Sequence, residues 1–246
     1  MVLFVGTPAI APAQAWADIL PDSLATPPPA IPVDSTAAPV ASDTTMATPM
    51  APSPTRMTPA DEVNLPPLLP APDAALAAAL RKGGYIIVFR HAITDWSQRD
   101  SDGENFDNRR AQRNLSEAGR TQSTEIGKAI AAAGIPIGDV QASPMFRCRD
   151  TAELAFGHHT ANPDLVRRGP KPREARVRML GTVPKKGTNT VLVTHQDQLM
   201  PLVTGLRREQ LREGEALIVK PLGEGKYEVL AQVGLEQWRA LASHKP

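Results

Sequence analysis

The 246-residue chain has one cysteine, Cys148, so no internal disulfide can form and no multi-cysteine zinc site can be built. No stretch of 18 apolar residues exists, which excludes a membrane-spanning helix. Aromatic side chains make up only 4% of the chain and the formal net charge is +1. No block of Lys and Arg is interleaved with aromatics, so the usual signature of a nucleic-acid track is missing. A Gly-rich Lys-Ser/Thr loop for nucleotide phosphates is also absent.

These shortages are unevenly spread. Residues 1–73 hold 16 of the 25 prolines, two aromatics (Phe4 and Trp16), one basic side chain (Arg56) and seven acidic ones, a net charge of −6. A Pro/Ala/Ser/Thr-rich stretch of this kind cannot bury enough apolar area to offset chain entropy. Residues 74–246 carry +7, spread along the sequence. That excess suits an anionic small molecule or a phosphoprotein better than nucleic acid. The folded part is therefore expected to be a single domain over 74–246, of ordinary size.

Within the first part, residues 1–17 run from an apolar start to Ala15-Trp16-Ala17 and resemble a secretory signal cleaved before Asp18. This reading places the domain outside the cytoplasm, in a periplasmic or secreted location. The apolar run is short and no Lys or Arg precedes it, so a cytoplasmic Ala/Pro-rich tail is the alternative. Residues 18–73, with Pro27-Pro28-Pro29 and repeated Ala-Pro, Thr-Pro and Ser-Pro steps, are expected to be a disordered, extended linker.

Along the domain, 74–81 is Ala/Leu-rich and predicts a short helix stopped by Gly83-Gly84. The run 85–89 (Tyr-Ile-Ile-Val-Phe) predicts a strand buried on both faces, as in a parallel sheet. A polar loop over 92–113 follows. Ser116 is placed to cap a helix with Ile126, Ile130 and Ala133 at helical spacing, closed by Gly134 and Pro136. A short strand at 140–143 leads through Pro144 into a helix reaching about Phe156. Residues 157–173 are loop-like with a short strand at 165–166, and 174–180 is helical. The run 190–194 (Thr-Val-Leu-Val-Thr) is a second buried strand. Residues 199–205 are assigned as helix, and 216–219 and 227–233 as two strands joined at Gly223-Glu224-Gly225. The alternation argues a three-layer α/β/α fold with a mostly parallel central sheet.

Two buried strands end in a histidine: Phe89-Arg90-His91 and Val193-Thr194-His195. Ligands of open α/β sheets bind outside the carboxyl ends of the strands. The strand ending at Ser143 delivers Arg147 to a helix start at the same edge, and both helix N-termini and guanidinium groups suit a phosphate. Strand polarity alone thus points to an anion site made by Arg90, His91, Arg147 and His195.

These residues carry a family resemblance. Arg90-His91-Ala92 after a buried strand resembles the Arg-His-Gly/Ala signature of the histidine phosphatase superfamily, which includes the phosphoglycerate mutases. Leu115-Ser116-Glu117-x-Gly119-x-x-Gln122 resembles its Leu-Thr/Ser-x-x-Gly-x-x-Gln element. Ser143-Pro144-x-x-Arg147-x-x-x-Thr151-Ala152 resembles its Arg-bearing helix start. Val193-Thr194-His195 resembles the strand of its second histidine, and Gly214-Glu215 its late segment. The resemblance implies a phosphoglycerate mutase-like fold and a phosphatase that takes phosphomonoesters or phosphohistidine. It implies a covalent phosphohistidine on His91, with Arg90, Arg147 and His195 around the phosphoryl group, and no metal or cofactor. A non-catalytic phosphate-binding module and a mutase-like transferase are the alternatives.

Cys148 reads as a small buried apolar residue, and the Cys-x5-Arg pattern of the thiol phosphatases is absent because Leu154 stands six positions on. His158-His159 have neither a His-Glu-x-x-His helix nor a carboxylate triad to make a metal site. One element of the family pattern is missing. No Glu stands in 157–173, and Gln196 rather than Asp follows His195. Asp95, Asp150 and His158 are the candidate proton donors on sequence grounds, with Asp95 first.

Overall fold

The computed structural model describes residues 69–102, 105–166 and 172–243. The expected leader (1–17) and the expected linker up to residue 68 lie outside the described residues. Six strands form one sheet in the order β3-β2-β4-β1-β5-β6. They are β1 (Ile86–Arg90), β2 (Ile137–Ala142), β3 (Thr160–Ala161), β4 (Asn189–Thr194), β5 (Ala216–Gly223) and β6 (Lys226–Val233). The pairs β1–β4, β2–β4 and β2–β3 are parallel, and β5 is antiparallel to both β1 and β6.

The apolar run of β1 is continuous because both of its faces are covered. Ile87 and Phe89 point into one core, with Val191 and Val193 from β4. Ile86 and Val88 point into the other, with Leu192 and Leu217. The first core is closed by α1 (Ala74–Lys82), α2 (Glu117–Ala132), α3 (Phe146–Phe156) and α6 (Leu235–Ser243). The second is closed by α4 (Pro172–Gly181) and by the chain from α5 (Gln196–Leu199) to Leu211. The result is the three-layer α/β/α arrangement that the alternation predicts.

Two glycines set how closely the helices approach. A Cβ on Gly119 would lie 1.9 Å from the Ile93 carbonyl oxygen, and one on Gly127 would lie 2.0 Å from that of Ala155. The first contact seats the start of α2 on the loop after His91. The second lets α2 and α3 pack backbone to backbone. Ser116 caps α2, its Oγ accepting from Gly119 N at 3.1 Å.

Several local features differ from the sequence expectation. Residues 199–205 are not one helix: α5 is four residues long and gives way to a 3₁₀ turn over Met200–Leu202, because Pro201 cannot extend an α-helical ladder. Residues 165–166 are not a strand. Pro163–Leu165 is a 3₁₀ turn capped by Asn162, and the edge strand β3 precedes it. The C-terminal helix α6 has no counterpart in the sequence reading, yet its Trp238 is fully buried against Phe89, ring centroids 6.2 Å apart. Finally, residues 69–73 fall within the expected linker but pack on the domain. Leu69 lies against the second core, the Pro70 carbonyl accepts from Gln232 N at 3.1 Å, and Asp73 caps α1.

Candidate active site

Because β1 and β4 are parallel neighbours in register, Arg90 beside Thr194, they end together. His91 N donates to the Thr194 carbonyl at 3.0 Å, which continues the ladder one residue beyond β1. The two rings that follow sit edge to face with centroids 5.5 Å apart. On the other flank of β4, Ser143 N donates to the Val193 carbonyl at 2.9 Å. The chain then turns through Met145, the N-cap of α3, and sets Arg147 in the first turn of that helix. Arg90, His91, Arg147 and His195 thereby line one cavity of about 260 Å³ at the carboxyl end of the strands. All four are buried in their resting positions.

The two histidines differ in how their nitrogens are engaged. His91 Nδ1 is 2.9 Å from the Ala92 carbonyl oxygen, a pure acceptor, so Nδ1 carries the proton and Nε2 the lone pair. His195 receives a hydrogen bond from Arg147 Nε at its Nδ1 (3.4 Å), so its proton is on Nε2, which donates to Ser143 Oγ at 2.8 Å. Burial, reinforced by the charge of Arg147, holds both rings well below the usual histidine pKa. Both are therefore neutral imidazoles at pH 7.

The guanidinium groups are braced from behind. Arg90 Nη1 donates to the Leu211 carbonyl at 2.6 Å. Arg147 Nη1 donates to Asp100 Oδ1 at 3.0 Å and to the Arg113 carbonyl at 3.3 Å. Arg113 and Arg208 also line the cavity, and the Arg113 guanidinium lies over the Trp96 ring at 4.0 Å. Burial and the neighbouring Arg147 press the pKa of Arg113 down, and among the described residues the cavity is lined by Arg90, Arg113, Arg147 and Arg208 with one acidic side chain, Asp197. A phosphoryl group, with negative charge on three oxygens, matches such a cavity.

The candidate proton donors lie elsewhere. Asp95 accepts from Ser97 N (2.9 Å), Ser97 Oγ (2.7 Å) and Gln98 Nε2 (2.9 Å); it caps its own turn and does not line the cavity. Asp150 is held bidentately by Arg109 at 2.5 and 2.8 Å. His158 is exposed, between the Phe156 and Gly138 carbonyls. Among the described residues Asp197 is the acidic side chain that lines the cavity. Sequence reasoning passes over it, because it stands two places after His195 rather than one. It also passes over Glu213, whose carboxylate lies 3.6 Å from Arg90 and 4.0 Å from His91. The Leu-Arg-Glu-Gly-Glu run before β5 is the available signal. No group of three His, Cys, Asp or Glu side chains that could hold a metal occurs among the described residues.

Cys148 is fully buried, and burial pushes its thiol up to about 12, so it is an inert filler at 3.6 Å from His195 Nε2.

Residues 86–168 match the family model of the histidine phosphatase superfamily (branch 1). No curated protein sequence matches the chain. Among solved structures, the protein histidine phosphatase SixA complexed with tungstate is similar at 17% identity, over 61% of this chain and 97% of that one, with a TM-score of 0.47. The putative phosphohistidine phosphatase SixA from Agrobacterium tumefaciens is similar at 16% identity, over 61% of this chain and 98% of that one, with a TM-score of 0.43. The matched segment contains the Arg-His, Leu-Ser-x-x-Gly-x-x-Gln and Ser-Pro-x-x-Arg elements in order, so this third of the chain is similar to the histidine phosphatase superfamily.

Proposed function

We propose that the domain hydrolyses a phosphomonoester or a phosphohistidine through a covalent phosphohistidine on His91. The observation that carries this reading is the asymmetry of the two neutral histidines. His91 has its Nδ1 proton committed to a main-chain carbonyl, which leaves the Nε2 lone pair as nucleophile. In the first step Nε2 forms a bond to phosphorus as the bond to the leaving atom breaks, an ester oxygen in a phosphomonoester or a ring nitrogen in a phosphohistidine. The electron pair departs with that atom, which takes a proton from Asp197. In the second step water attacks, its proton passes to Asp197, and the P–N electron pair returns to Nε2. Arg90 and Arg147 stabilise the equatorial oxygens, where positioned charge contributes most of the acceleration, and His195 holds Arg147 in place beside them.

The substrate is a phosphorylated small molecule or a phosphoprotein side chain. The small cavity with its arginine-rich rim favours a compact anionic group over an apolar one. The test is turnover of p-nitrophenyl phosphate over a pH series, with acid-quench detection of acid-labile, base-stable label. Hydrolysis with such label on His91 is expected. Saturable vanadate binding without turnover would overturn the reading in favour of a phosphate-binding module.

A further inference from the structure

Glu213 stands on the Nδ1 side of the His91 ring, its Oε1 4.0 Å from that nitrogen. Its side chain is 10% exposed and its position is fixed from several directions. Oε2 accepts from Thr94 N at 3.1 Å and Oε1 from Thr94 Oγ1 at 2.9 Å. Oε1 also faces Arg90 Nη2 at 3.6 Å and His91 Nδ1 at 4.0 Å. The main chain beside it is stitched to the end of β1: Gly214 N donates to the His91 carbonyl and Arg90 N to the Glu215 carbonyl, both at 2.9 Å. The Gln122 amide closes the brace, donating to the Glu213 carbonyl and accepting from Ile93 N, both at 3.1 Å. Gly214 has φ +85°, and a Cβ there would meet the Gln122 amide at 2.4 Å, so only glycine lets the segment lie against that amide.

The chemistry of the first step gives this placement a use. While Nδ1 keeps its proton, bonding of Nε2 to phosphorus turns the ring into a cation. That cation forms in a buried site beside Arg147, His195 and Arg90, and burial first, then those groups, favours a neutral ring. An environment that keeps the resting nucleophile uncharged therefore opposes the intermediate, unless an anion faces the ring. Among the described residues Glu213 is the carboxylate within ion-pair reach of His91.

We propose that Glu213 is a positioning residue for the nucleophile, acting through His91: it offsets the positive charge the ring acquires on phosphorylation and so sets how fast the phosphohistidine forms and how long it lasts. This rests on the phosphohistidine reading above. Charge offset has a directional consequence. Removing the carboxylate makes the ring harder to phosphorylate and a better leaving group, so the first step slows and the second does not.

The experiment is rapid acid quench of the full chain with ³²P-labelled p-nitrophenyl phosphate, following formation and decay of the label separately. Glu213→Gln keeps the shape and an acceptor for Thr94 but removes the charge. Its phosphorylation rate should fall roughly 10- to 100-fold, taking as a guide the loss of a carboxylate partner behind a metal-ligating histidine. Decay of the label should be as fast as wild type or faster, and inhibition by inorganic phosphate should not weaken. Glu213→Asp, which keeps the charge, should recover part of the lost rate. If Glu213→Gln fails to fold, Thr94→Val loosens the same carboxylate and must likewise slow formation but not decay. Equal slowing of both steps, an unchanged first step, or no advantage of Asp over Gln would overturn the role of Glu213. Absence of acid-labile label in the wild type would instead overturn the phosphohistidine reading itself.

Discussion

The ends of β1 and β4 are built alike and finish differently. Each is a strand buried on both faces, each stops at a histidine, and the two rings are edge to face at 5.5 Å. At the end of β1 the ring is tied through Nδ1 to its own main chain, with Glu213 beside it. At the end of β4 both ring nitrogens are engaged by side chains, Ser143 and Arg147, with Cys148 alongside. A nitrogen held by the backbone leaves its opposite partner available for bonding. A ring held at both nitrogens is a fixture that orients other groups. Position at the sheet edge therefore does not assign a role; the hydrogen bonds at each ring do.

Replacing each ring in turn is the strongest way to break this comparison. His91→Ala should lower turnover by on the order of 10⁵-fold or more, as loss of a nucleophile does, and should abolish the acid-labile label. His195→Ala should cost only about 10²–10³-fold, the size of one weakened oxyanion contact, because Arg147 loses the ring that orients it, and should still form label slowly. Equal losses, or label that persists without His91, would dissolve the distinction.

Arg147 sharpens the β4 side, since its guanidinium both touches His195 and faces the cavity. Lys keeps the charge but not the planar fork. Arg147→Lys should reduce the rate by roughly 100- to 1000-fold, with vanadate affinity falling in parallel. Arg149 lies over Phe146 at 4.8 Å and does not line the cavity, so Arg149→Lys should leave the rate unchanged. A damaging Arg149→Lys beside a silent Arg147→Lys would relocate the phosphate pocket.

The parts of this site legible in the sequence are those that local pattern fixes. An apolar run covered on both faces, followed by Arg-His, announces a strand end whatever packs around it. Ser143-Pro144 followed by Arg147 announces a helix start. Asp197 and Glu213 are not legible in this way, because their relevance depends on where the chain after β4 and before β5 crosses the strand ends. Asp95 is close to His91 in sequence, which favours it as the acid, but an Asp followed by Ser97 and Gln98 satisfies itself in a turn. Helix α6 escapes the sequence reading although Trp238 and Leu241 stand three apart on one buried face, since the strand before it already completes the sheet.

Two glycines separate the site from the scaffold. Gly119→Ala and Gly127→Ala should each cost about 1–3 kcal/mol, because the added methyl meets a carbonyl oxygen at 1.9 and 2.0 Å. Gly119 presses on Ile93, two residues past His91, so its substitution should reduce rate as well as stability. Gly127 presses on Ala155, away from the cavity, and should reduce stability alone. Chemical denaturation read beside steady-state rates tests the contrast; a rate loss at Gly127 equal to that at Gly119 would remove it.

Acid stability is the next smaller effect. His91 and His195 have folded pKa values well below the 6.5 of the free side chain. Above about pH 6.5 both folded and unfolded chains carry neutral rings. As pH falls below that value the unfolded chain binds protons that the folded one refuses, so stability is lost. The slope is up to about 1.4 kcal/mol per pH unit for each ring until its folded pKa is reached. Denaturation midpoints between pH 7.5 and 5 should therefore drop, and His91→Gln should flatten the drop. The same shift keeps the proposed nucleophile neutral, so the rate should show no acid limb at 6.5 from His91. A limb there that disappears with His91→Gln would mean that the ring titrates normally.

The smallest effect probes the far end of β1. Asp73 caps α1, its carboxylate accepting from Leu76 N at 2.7 Å, and α1 enters β1 through Gly83 and Gly84. That cap lies at the opposite end of β1 from His91. Asp73→Ala should cost about 1 kcal/mol, the usual value of a lost N-cap, and lower the thermal midpoint by roughly 2–4 °C in a domain of this size. The rate should not change. The ladder from β4 and β5 holds β1 in register over its whole length, so loosening the helix before it has no route to the ring beyond it. A kcat that falls with the midpoint would show that β1 transmits strain from one end to the other. The histidine at its tip would then be positioned by the entire strand and not only by the contacts around the ring.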